Sequence, residues 1–465
     1  MTAIEVCADP RTLALEILAD VRQATEDGPG VTRESYGAGE NTALRLLEAH
    51  AEEMGLVCEY DRARNLWMRL PEDTRTDPFV VIGSHADSVP QGGNFDGLAG
   101  IVAGMLVLAG LRDRYASAPP VRVLALRGEE SAWYGKAYMG SLSLLGRLPA
   151  QALALKHRSG SGTLGEAMAR CGVDVEAVRA GEPLLDVAQV RAYLELHIEQ
   201  GPVMVARGWP AAAVTGIRGN IRHNVVRCIG EAGHSGAVPR WLRKDALLAV
   251  AELLSRMDEH WRVLLQMGMD LVMTSGICST LPQSHAVSVI PGEVRLSFEA
   301  RSQDAQTMER FYALMRDECA AIEKSRGVRF EFDDKLVTAP ATMDAGWVER
   351  LKVAAARNGA AIGLGTATGT GTGPGAGTGN GAGTGTGAGT GPDTIIGTVL
   401  EEIPSGAGHD AAVFANAGVP SAMVFVRNEN GSHNPHEDMD IDDFLVGVDL
   451  FEGALLDIIA PPRAD

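Results

Sequence analysis

The stretch FVVIGSHADSVPQGGNFDGLAG, residues 79–100, decides the fold of this chain. It starts with an apolar run at 79–83, passes through the polar side chains of His85, Asp87 and Asp96, and ends in a helical pattern. A nearly continuous apolar strand followed by a helix is typical of a parallel sheet with both faces covered. In such sheets ligands bind beyond the carboxyl ends of the strands, which is where these polar side chains lie.

Other apolar runs of the chain also end in polar clusters. Glu129 and Glu130 follow the run VRVLAL. His197 ends the run YLELH, and His433 follows SAMVFVRN. Because the carboxyl ends of parallel strands meet at one edge of a sheet, we expect these side chains to converge. The predicted fold is α/β, with a mixed, largely parallel sheet and helices on both faces.

The 465 residues exceed the usual size of one hydrophobic core, so a second domain is expected. From about Gly216 the pattern changes to a compact α+β set, which predicts an inserted domain at 216–335. The catalytic domain would then consist of 1–215 and 336–465. Residues 359–391 alternate Gly with Thr or Ala, a composition that cannot bury a core, and are predicted to form a disordered surface loop.

Composition and charge narrow the possible partners. A formal net charge of -19 argues against a nucleic-acid surface, which requires clustered Lys and Arg. No apolar run is long enough to span a bilayer, and the start of the chain lacks a basic segment followed by an apolar core. The six cysteines are scattered without CxxC spacing, as in a reduced protein. We therefore expect a cytoplasmic protein that acts on a small molecule.

Three histidines and two carboxylates at strand ends suggest hydrolytic metal chemistry. Two metal ions about 3.5 to 4 Å apart activate water and polarise a carbonyl, and imidazole with carboxylate suits Zn, Mn or Co. Neighbouring Glu129 and Glu130 point apart in extended chain, so one can ligate a metal while the other accepts a proton. Asp87, two residues after His85, is placed to orient that ring. Taken singly, each of these positions is more typical of a surface or core residue.

Six motifs in order carry a family resemblance. HIEQGP and SGAGHDA are the most specific among them, and the resemblance spans nearly the whole chain except the Gly/Thr tract. The chain is similar to the hydantoinase/carbamoylase branch of the M20 metallopeptidase-like amidohydrolases. This branch includes N-carbamoyl-L-amino-acid hydrolases, allantoate amidohydrolases and β-ureidopropionases. The motifs are GSHADSVPQGGNFDGLAG, RGEESAWYGKAYMGS, LELHIEQGP, GEAGHSGAVPRWLRKDA, IPSGAGHDA and GSHNPHED.

The resemblance implies a di-metal aminopeptidase-like catalytic domain with two divalent ions. His85 and His197 would hold one ion. Glu130 and His433 would hold the other, with Asp96 as the bridge.

The resemblance also implies the catalytic groups and the assembly. Glu129 would be the general base and acid. The inserted domain would be a dimerisation domain, and its His234 would reach a partner subunit's site and stabilise the oxyanion. A homodimer follows from this implication.

Substrate contacts carry over from the same motifs. Arg301 would clamp the substrate carboxylate, for which a guanidinium is well shaped; a surface ion pair with a glutamate is the alternative. Gln200 and His409 would line the pocket, although His409 equally suits a structural hydrogen bond. Ser288 stands where the family usually has Asn, and Arg222 would add positive charge at the domain junction.

Departures from the family motifs concern specificity rather than the metals. Trp133 replaces a commonly seen Arg-Phe pair, and Arg240 with Trp241 stands where many relatives have Met and a small or polar residue. The predicted function is a two-metal amidohydrolase that cleaves a linear carbamoyl or ureido C–N bond in a small N-carbamoyl amino acid or related ureido acid. The alternatives are an M20-type dipeptidase or N-acyl-amino-acid hydrolase and a non-catalytic metal-binding relative.

Overall fold

A computed structural model describes residues 9–114, 119–284, 286–358 and 399–459. Within the described parts, the chain forms two compact units. The first comprises Met1–Ala213, Asp344–Glu402 and Ala417–Asp465, and the second Val214–Met343 and Ile403–Asn416. The predicted loop at 359–391 lies outside the described residues.

The first unit contains a largely parallel sheet. Its four central strands are β1 (Phe79–His85), β2 (Val121–Leu126), β3 (Val190–Ile198) and β4 (Ser421–Val426). They lie in the order β4-β3-β1-β2, and all three pairings are parallel. Antiparallel neighbours extend the sheet on both sides: Leu66–Arg69 and then Val57–Tyr60 beyond β2, and residues 211–213 beside β4. The predicted mixed, largely parallel α/β fold is confirmed.

The central strands form because their sequences are apolar and almost wholly buried. Every residue of β1 and β4 is buried. The helix Leu98–Arg114 packs closely on this sheet through two glycines. A Cβ on Gly100 would lie 2.2 Å from the carbonyl oxygen of Leu196, and one on Gly104 would lie 3.0 Å from a methyl of Val123. Larger side chains at these positions would push the helix away from the strands that carry the polar clusters.

Helices and short ribbons complete the first unit. Asp9 caps the first helix by accepting from the backbone of Thr12, and Asp440 caps the last. The α-helices are Pro10–Thr25, Ala38–Glu53, Leu98–Arg114, Met139–Leu144, Leu164–Arg170, Val175–Ala180, Val203–Arg207, Ala345–Asn358 and Ile441–Leu455. The 3₁₀ turns are Ala150–Ala154, Val187–Gln189 and Leu456–Ile458, and the ribbons pair Glu26–Asp27 with Gly30–Val31 and Asn428–Glu429 with Asp438–Met439.

The second unit is an antiparallel sheet with two long helices. Gly219–Ile229 and Glu293–Ser302 are its central strands, and Ala246–Gln266 and Ala305–Arg326 contribute to its apolar core. Asp245 caps the first of these helices. The remaining sheet strands are Val272–Thr274, Cys278–Thr280, Arg329–Phe332 and Leu336–Thr338. Outside this sheet lie the strands Gly233–His234, Val289–Ile290 and Ala341–Thr342, the 3₁₀ turns Arg240–Leu242 and Pro282–Ser284, and the helix Asp410–Asn416. The strands Ala211–Ile217 and Glu401–Ser405 each run from the first unit into the second.

The second unit differs from the predicted insert at 216–335. It begins at Val214, ends at Met343 and also takes in Ile403–Asn416, which holds the SGAGHDA motif. A backbone hydrogen bond from Arg218 to Ser405, 3.2 Å long, is one of the contacts that join this distant segment to it. Within the described parts of the chain, no helix has both the length and the apolar character needed to cross a membrane.

Candidate active site

The ends of β1 and β3 bring two imidazoles onto one carboxylate. His85 is the last residue of β1 and His197 the last but one of β3, and both rings are buried. Oδ1 of Asp96 lies 3.3 Å from Nε2 of each ring, and the two Nε2 atoms are 3.4 Å apart. These side chains form a group with the composition and spacing to hold a metal ion.

A second group shares the same aspartate. Oδ2 of Asp96 lies 3.5 Å from Nε2 of His433, which lies 3.4 Å from Oε1 of Glu130. Glu130 is buried in the loop after β2, whereas His433, in the loop after β4, keeps 52% of its side chain exposed. Asp96 thus offers one oxygen to each group, as a bridging carboxylate would.

Hydrogen bonds on the far side of the rings fix their orientation. Nδ1 of His197 lies 3.0 Å from the carbonyl oxygen of Ile198, and Nδ1 of His85 lies 3.2 Å from that of Asp87. Because a carbonyl oxygen only accepts, Nδ1 is the donor in both rings, and Nε2 faces Asp96. Histidine ligands of metals are held in this way.

Asp87 ties the end of β1 to the glutamate pair. Its Oδ1 lies 3.4 Å from Nδ1 of His85 and accepts the backbone N–H of Glu129 at 3.0 Å. Its Oδ2 accepts the backbone N–H of Glu130 at 3.1 Å and the hydroxyl of Ser35 at 2.5 Å. One buried carboxylate therefore positions both a predicted metal ligand and the predicted base.

Close packing around the loop between β1 and its helix also shapes the site. Gly97 has φ +69°, and a Cβ there would lie 2.5 Å from the ring of His85. A Cβ on Gly93 would lie 2.2 Å from the carboxylate of Glu437. That carboxylate accepts the backbone N–H groups of Phe95 and Asp96 at 2.8 and 3.1 Å. The loop is therefore held tightly where it presents the shared aspartate.

The charges of the site shift pKa values in opposite directions. Burial lowers the pKa of His85 and of His197, but nearby carboxylates, Asp96 among them, outweigh burial and raise both. Burial raises the pKa of Asp96, yet the hydrogen bonds and charges of the two imidazoles bring it well below the usual range. The Glu130 carboxylate raises the pKa of His433 to about 9. The carboxylates of the site therefore stabilise positive charge on these imidazoles.

One buried atom supports the fit to a cation. Within the described residues, the buried Oε1 of Glu130 accepts no hydrogen bond, although the imidazole of His433 lies 3.4 Å from it. A buried carboxylate oxygen is costly unless a donor or a cation compensates it. Combined imidazole nitrogen and carboxylate oxygen donors are the set that Zn, Mn and Co accept. The residues present therefore fit divalent metal ions.

Gln200 lies at the shared aspartate. Its Nε2 donates to Oδ2 of Asp96 at 2.8 Å, and its backbone N–H donates to Asn428 at 2.9 Å. Ser432 donates its hydroxyl to the same Oδ2. The motif similarity predicts a substrate contact for Gln200, but in this structure its amide orients a ligand; the substrate contact stays a prediction.

Glu129 is buried and belongs to neither ligand group formed by the described residues. Its backbone is held at both ends, by Asp87 at the N–H and by the N–H of Tyr138, 2.9 Å from its carbonyl oxygen. Burial lowers the pKa of His85, and the carboxylates of Asp87 and Asp96 raise it. The charge of Glu129 raises the same pKa further. Glu129 therefore acts electrostatically on one of the predicted ligands without belonging to either ligand group, and its role as general base stays a prediction.

In the second unit, Arg301 contacts the SGAGHDA segment. Its Nη1 donates to the carbonyl oxygen of Gly406 at 2.9 Å, and its Nη2 lies 3.0 Å from Oε1 of Glu299. The ion pair that the sequence leaves open as an alternative is therefore present, and the guanidinium remains 32% exposed. His409 is buried, with Nε2 2.9 Å from the hydroxyl of Ser405, which is the structural hydrogen bond considered for it.

His234 and Ser288 lie on facing segments of one ribbon in the second unit. The backbone N–H of Ser235 donates to the carbonyl oxygen of Ser288 at 2.8 Å, and His234 pairs with Val289. Nδ1 of His234 accepts from the backbone N–H groups of Gly236 and Ala237 at 3.1 and 3.2 Å. Nε2 therefore carries the proton, and this exposed imidazole presents a donor.

The remaining predicted specificity residues fall into two environments. Arg222 is exposed and lies opposite Glu299 in the sheet of the second unit. Trp241 is 83% exposed. Trp133 is buried in the first unit, where its ring N–H donates to the carbonyl oxygen of Ser88 at 2.8 Å. Its role in this structure is to hold the loop after Asp87.

Several buried groups at the site have no recognisable pattern in the sequence. Glu40 accepts from the backbone N–H of Gly128 and from Nε of Arg127, and so holds the turn before the glutamate pair. Arg33 and Glu437 are also buried, and Ser432 is half-buried. Ser432 and Glu437 belong to the SHNPHED motif. Their contacts with Asp96 depend on the tertiary structure, so the motif alone does not reveal them.

Comparisons with known proteins agree with this arrangement. The model of Peptidase family M20/M25/M40 matches residues 81–393 and 391–457. An N-carbamoyl-L-amino acid amidohydrolase of Geobacillus stearothermophilus is 31% identical, over 90% of this chain and 91% of its own length. An allantoate amidohydrolase of Bacillus subtilis is 30% identical, over 89% of each. The crystal structure of a hydantoinase/carbamoylase family amidase from Burkholderia ambifaria superposes with a TM-score of 0.77 at 28% identity, covering 98% of both chains.

Proposed function

The chain belongs to peptidase family M20/M25/M40, and from that premise we propose that it is a two-metal amidohydrolase acting on a linear carbamoyl or ureido C–N bond. The predicted family resemblance is confirmed by the family model and by the named relatives. The observation that carries the proposal is the pair of ligand groups that share Asp96, with Glu129 beside them.

The proposed metal ligands divide by position. His85 and His197 would hold an inner ion, and Glu130 and His433 an outer ion, with one oxygen of Asp96 directed to each. Two divalent ions, Zn, Mn or Co, would supply Lewis acidity toward water and toward the substrate carbonyl. The buried oxygen of Glu130 that accepts no hydrogen bond and lies 3.4 Å from His433 supports this occupancy.

Glu129 would move the protons of the reaction. Its carboxylate would accept the proton of the attacking water and pass it to the leaving nitrogen, as a positioned general base and acid does. The hydrogen bond from its backbone to Asp87 supports this role, because it fixes where the carboxylate starts. Asp87 would thereby fix the position of this base relative to His85.

Groups of the second unit would bind substrate and stabilise charge. Arg301 would hold the substrate carboxylate through its partly exposed guanidinium, with Glu299 and Gly406 fixing its plane. His234 would donate from Nε2 to the oxyanion, in a partner subunit's site of a homodimer. The backbone donors on Nδ1 support that proton assignment.

The proposed substrate is a small N-carbamoyl amino acid or related ureido acid. Water would add to the ureido carbonyl, and cleavage would release the free amino acid with carbon dioxide and ammonia. Relatives named as N-carbamoyl-L-amino acid and allantoate amidohydrolases support this class. The proposed location is the cytoplasm, which the free thiols of Cys58, Cys171, Cys228, Cys278 and Cys319 support.

The first test removes the proposed base. Glu129→Gln should lower kcat by about 10² to 10⁴-fold, because an amide cannot take the proton, while both metal ions remain bound. Glu48→Gln is a matched control, since Glu48 lies in the helix Ala38–Glu53 and accepts from Tyr60. Full turnover by metal-loaded Glu129→Gln would refute the assignment.

Substrate class needs a separate measurement. The metal-reconstituted protein should release ammonia from N-carbamoyl amino acids or allantoate in preference to hydrolysing N-formyl amino acids, N-acetyl amino acids or dipeptides. Release should stop with a chelator and return with metal. A preference for dipeptides would favour the peptidase alternative.

A further inference from the structure

Arg33 is a fully buried arginine that neither the proposed ligands nor the proposed proton transfer uses. Its Nε donates to the carbonyl oxygen of Ala86 at 2.8 Å, and its Nη1 to Oδ1 of Asn94 at 3.3 Å. Its Nη2 lies 3.4 Å from the carbonyl oxygens of both Asn94 and Asp96. The guanidinium therefore joins the two ends of the loop that carries Asp87 and Asp96.

The backbone of Arg33 is fastened to the same loop. Its N–H donates to the hydroxyl of Ser88 at 2.9 Å, and its carbonyl oxygen accepts the N–H of Ser88 at 2.9 Å. Val31, two residues earlier, exchanges backbone hydrogen bonds with Gly92. The position of the guanidinium is thus fixed by its own strand-like segment and by the loop.

All acceptors of this guanidinium among the described residues are neutral oxygens. Removing an unpaired cation from water costs roughly several kcal/mol, and arginine does not escape the cost by losing its proton. Burial lowers the pKa of Arg33, and nearby negative charges oppose that change. Those charges are on Glu437, Asp96, Asp87 and Glu130.

The charge of the surrounding cluster explains why an unpaired cation is tolerated there. Apart from Glu40, which pairs with Arg127, the buried carboxylates of the site are Asp87, Asp96, Glu129, Glu130 and Glu437. Two divalent ions would neutralise four of these five charges, and one guanidinium would neutralise the fifth. Imidazoles give up protons when metal binds, whereas a guanidinium keeps its charge in both states.

We infer that Arg33 is the resident cation of the metal site, which fixes the Asp87–Asp96 loop and offsets the carboxylates before metal ions bind. This inference rests on the proposed metal site. Arg33 is a positioning residue, because its nitrogens contact the loop and not the reacting atoms. The consequence is that Arg33 matters most to the protein when the metals are absent.

The test compares metal-free and Mn²⁺-loaded full-length protein. In Arg33→Met, the metal-free form loses a permanent positive charge that no carboxylate pairs with, while Mn²⁺ still supplies charge to the loaded form. The gap between the two melting temperatures should therefore widen by at least about 3 °C relative to the wild type. By linkage, calorimetric titration should show Mn²⁺ binding about fivefold or more tighter.

Other variants separate charge from packing. Arg33→Lys keeps the charge and should show a gap close to that of the wild type. Arg122→Met removes an arginine near the start of β2, whose partner is buried Asp73, and should lower both melting temperatures equally. Should Arg33→Met be insoluble with and without Mn²⁺, the neutral Arg33→Gln takes its place in the comparison with Arg33→Lys.

Distinct results overturn distinct statements. A wild-type protein that binds no Mn²⁺, Zn²⁺ or Co²⁺ would contradict the proposed metal site itself. Two results in a wild type that binds metal would overturn the inference about Arg33 alone. One is a neutral variant whose melting temperatures with and without Mn²⁺ differ by the same amount as in the wild type. The other is an Arg33→Lys variant in which this difference is as wide as in the neutral variant. Weaker Mn²⁺ binding by the neutral variant would likewise overturn it, because a purely mechanical clamp predicts that sign.

Discussion

The proposed metal ligands and the proposed substrate contacts differ sharply in their surroundings. In the first unit, His85, Asp96 and His197 are buried, and each is held by hydrogen bonds within that unit. In the second unit, His234 and Ser288 are exposed. Chemistry that depends on angstrom-scale ligand geometry is built into a rigid sheet edge, whereas the groups for recognition stand at the surface.

The contrast also applies to arginines. Arg33 is fully buried with neutral acceptors, whereas Arg301 is partly exposed and has an ion pair with Glu299. A buried guanidinium serves the permanent charge balance of its neighbours, because nothing from solvent reaches it. A partly exposed one retains N–H groups for an arriving carboxylate. The same residue type is thus proposed to serve architecture in one unit and substrate binding in the other.

The largest expected effect tests whether the chemistry lies wholly in the first unit. Asp96→Asn should remove both metal ions, because one side chain contributes to both ligand groups. Losing several kcal/mol of transition-state stabilisation should lower kcat by at least about 10³-fold. Metal analysis of the purified variant checks this. Retention of one ion at wild-type affinity would show that Asp96 is not shared.

A smaller effect should come from the exposed imidazole of the second unit. His234→Gln should lower kcat by about 10²-fold, since it removes one donor to the oxyanion, and metal content should not change. His260→Gln is the control, because His260 lies on the helix Ala246–Gln266 and contacts Glu318. If both variants turn over like the wild type, the first unit needs no imidazole from the second.

Arg301→Lys should affect binding more than turnover. Loss of a two-pronged, charge-assisted contact with the substrate carboxylate should raise KM about 10- to 100-fold and change kcat less. Arg295→Lys on the same strand is a matched control, since Arg295 pairs with Glu293. An unchanged KM in Arg301→Lys would leave this arginine with only its structural contacts to Glu299 and Gly406.

Metal uptake should depend on pH at the outer position. Glu130 raises the pKa of His433 to about 9, so an incoming ion must displace a proton below that pH. The apparent affinity should therefore rise about tenfold per pH unit up to about pH 9 and level off above it. Titrations in buffers of different ionisation enthalpy measure the released proton. Affinity independent of pH would contradict this proton count.

The sequence predicts the sheet well because strand ends carry local signals. The run VRVLAL predicts a strand at the residues where the structure has β2, Val121–Leu126. The spacing of apolar residues and the polar residues on either side are enough to predict such strands. The assignment of Ile403–Asn416 to the second unit was not predictable, because it depends on contacts such as the hydrogen bond to Arg218, far away in sequence.

The residues of the site also fall into two groups, those that a local sequence pattern reveals and those that only the tertiary structure reveals. His85, Glu130 and His433 follow apolar runs, so their residue types and their positions along the chain are enough to suggest metal ligands. Arg33 has no such signal, since it lies in a turn-rich segment and contacts oxygens 53 to 63 residues further along the chain. The contact of Gln200 with Asp96 is equally hidden, because the motif similarity assigns this residue to substrate.

Among the proposed ligands, all of which lie in the described residues, His85, Asp96, Glu130 and His197 are buried, whereas His433 is exposed. An ion held there would meet competing cations directly, whereas an ion between His85 and His197 would be sealed in by buried side chains. Metal ions from solution would then replace the outer ion before they replace the inner one. The outer position would follow the growth medium, and the inner one would preserve the metal present when the chain folded.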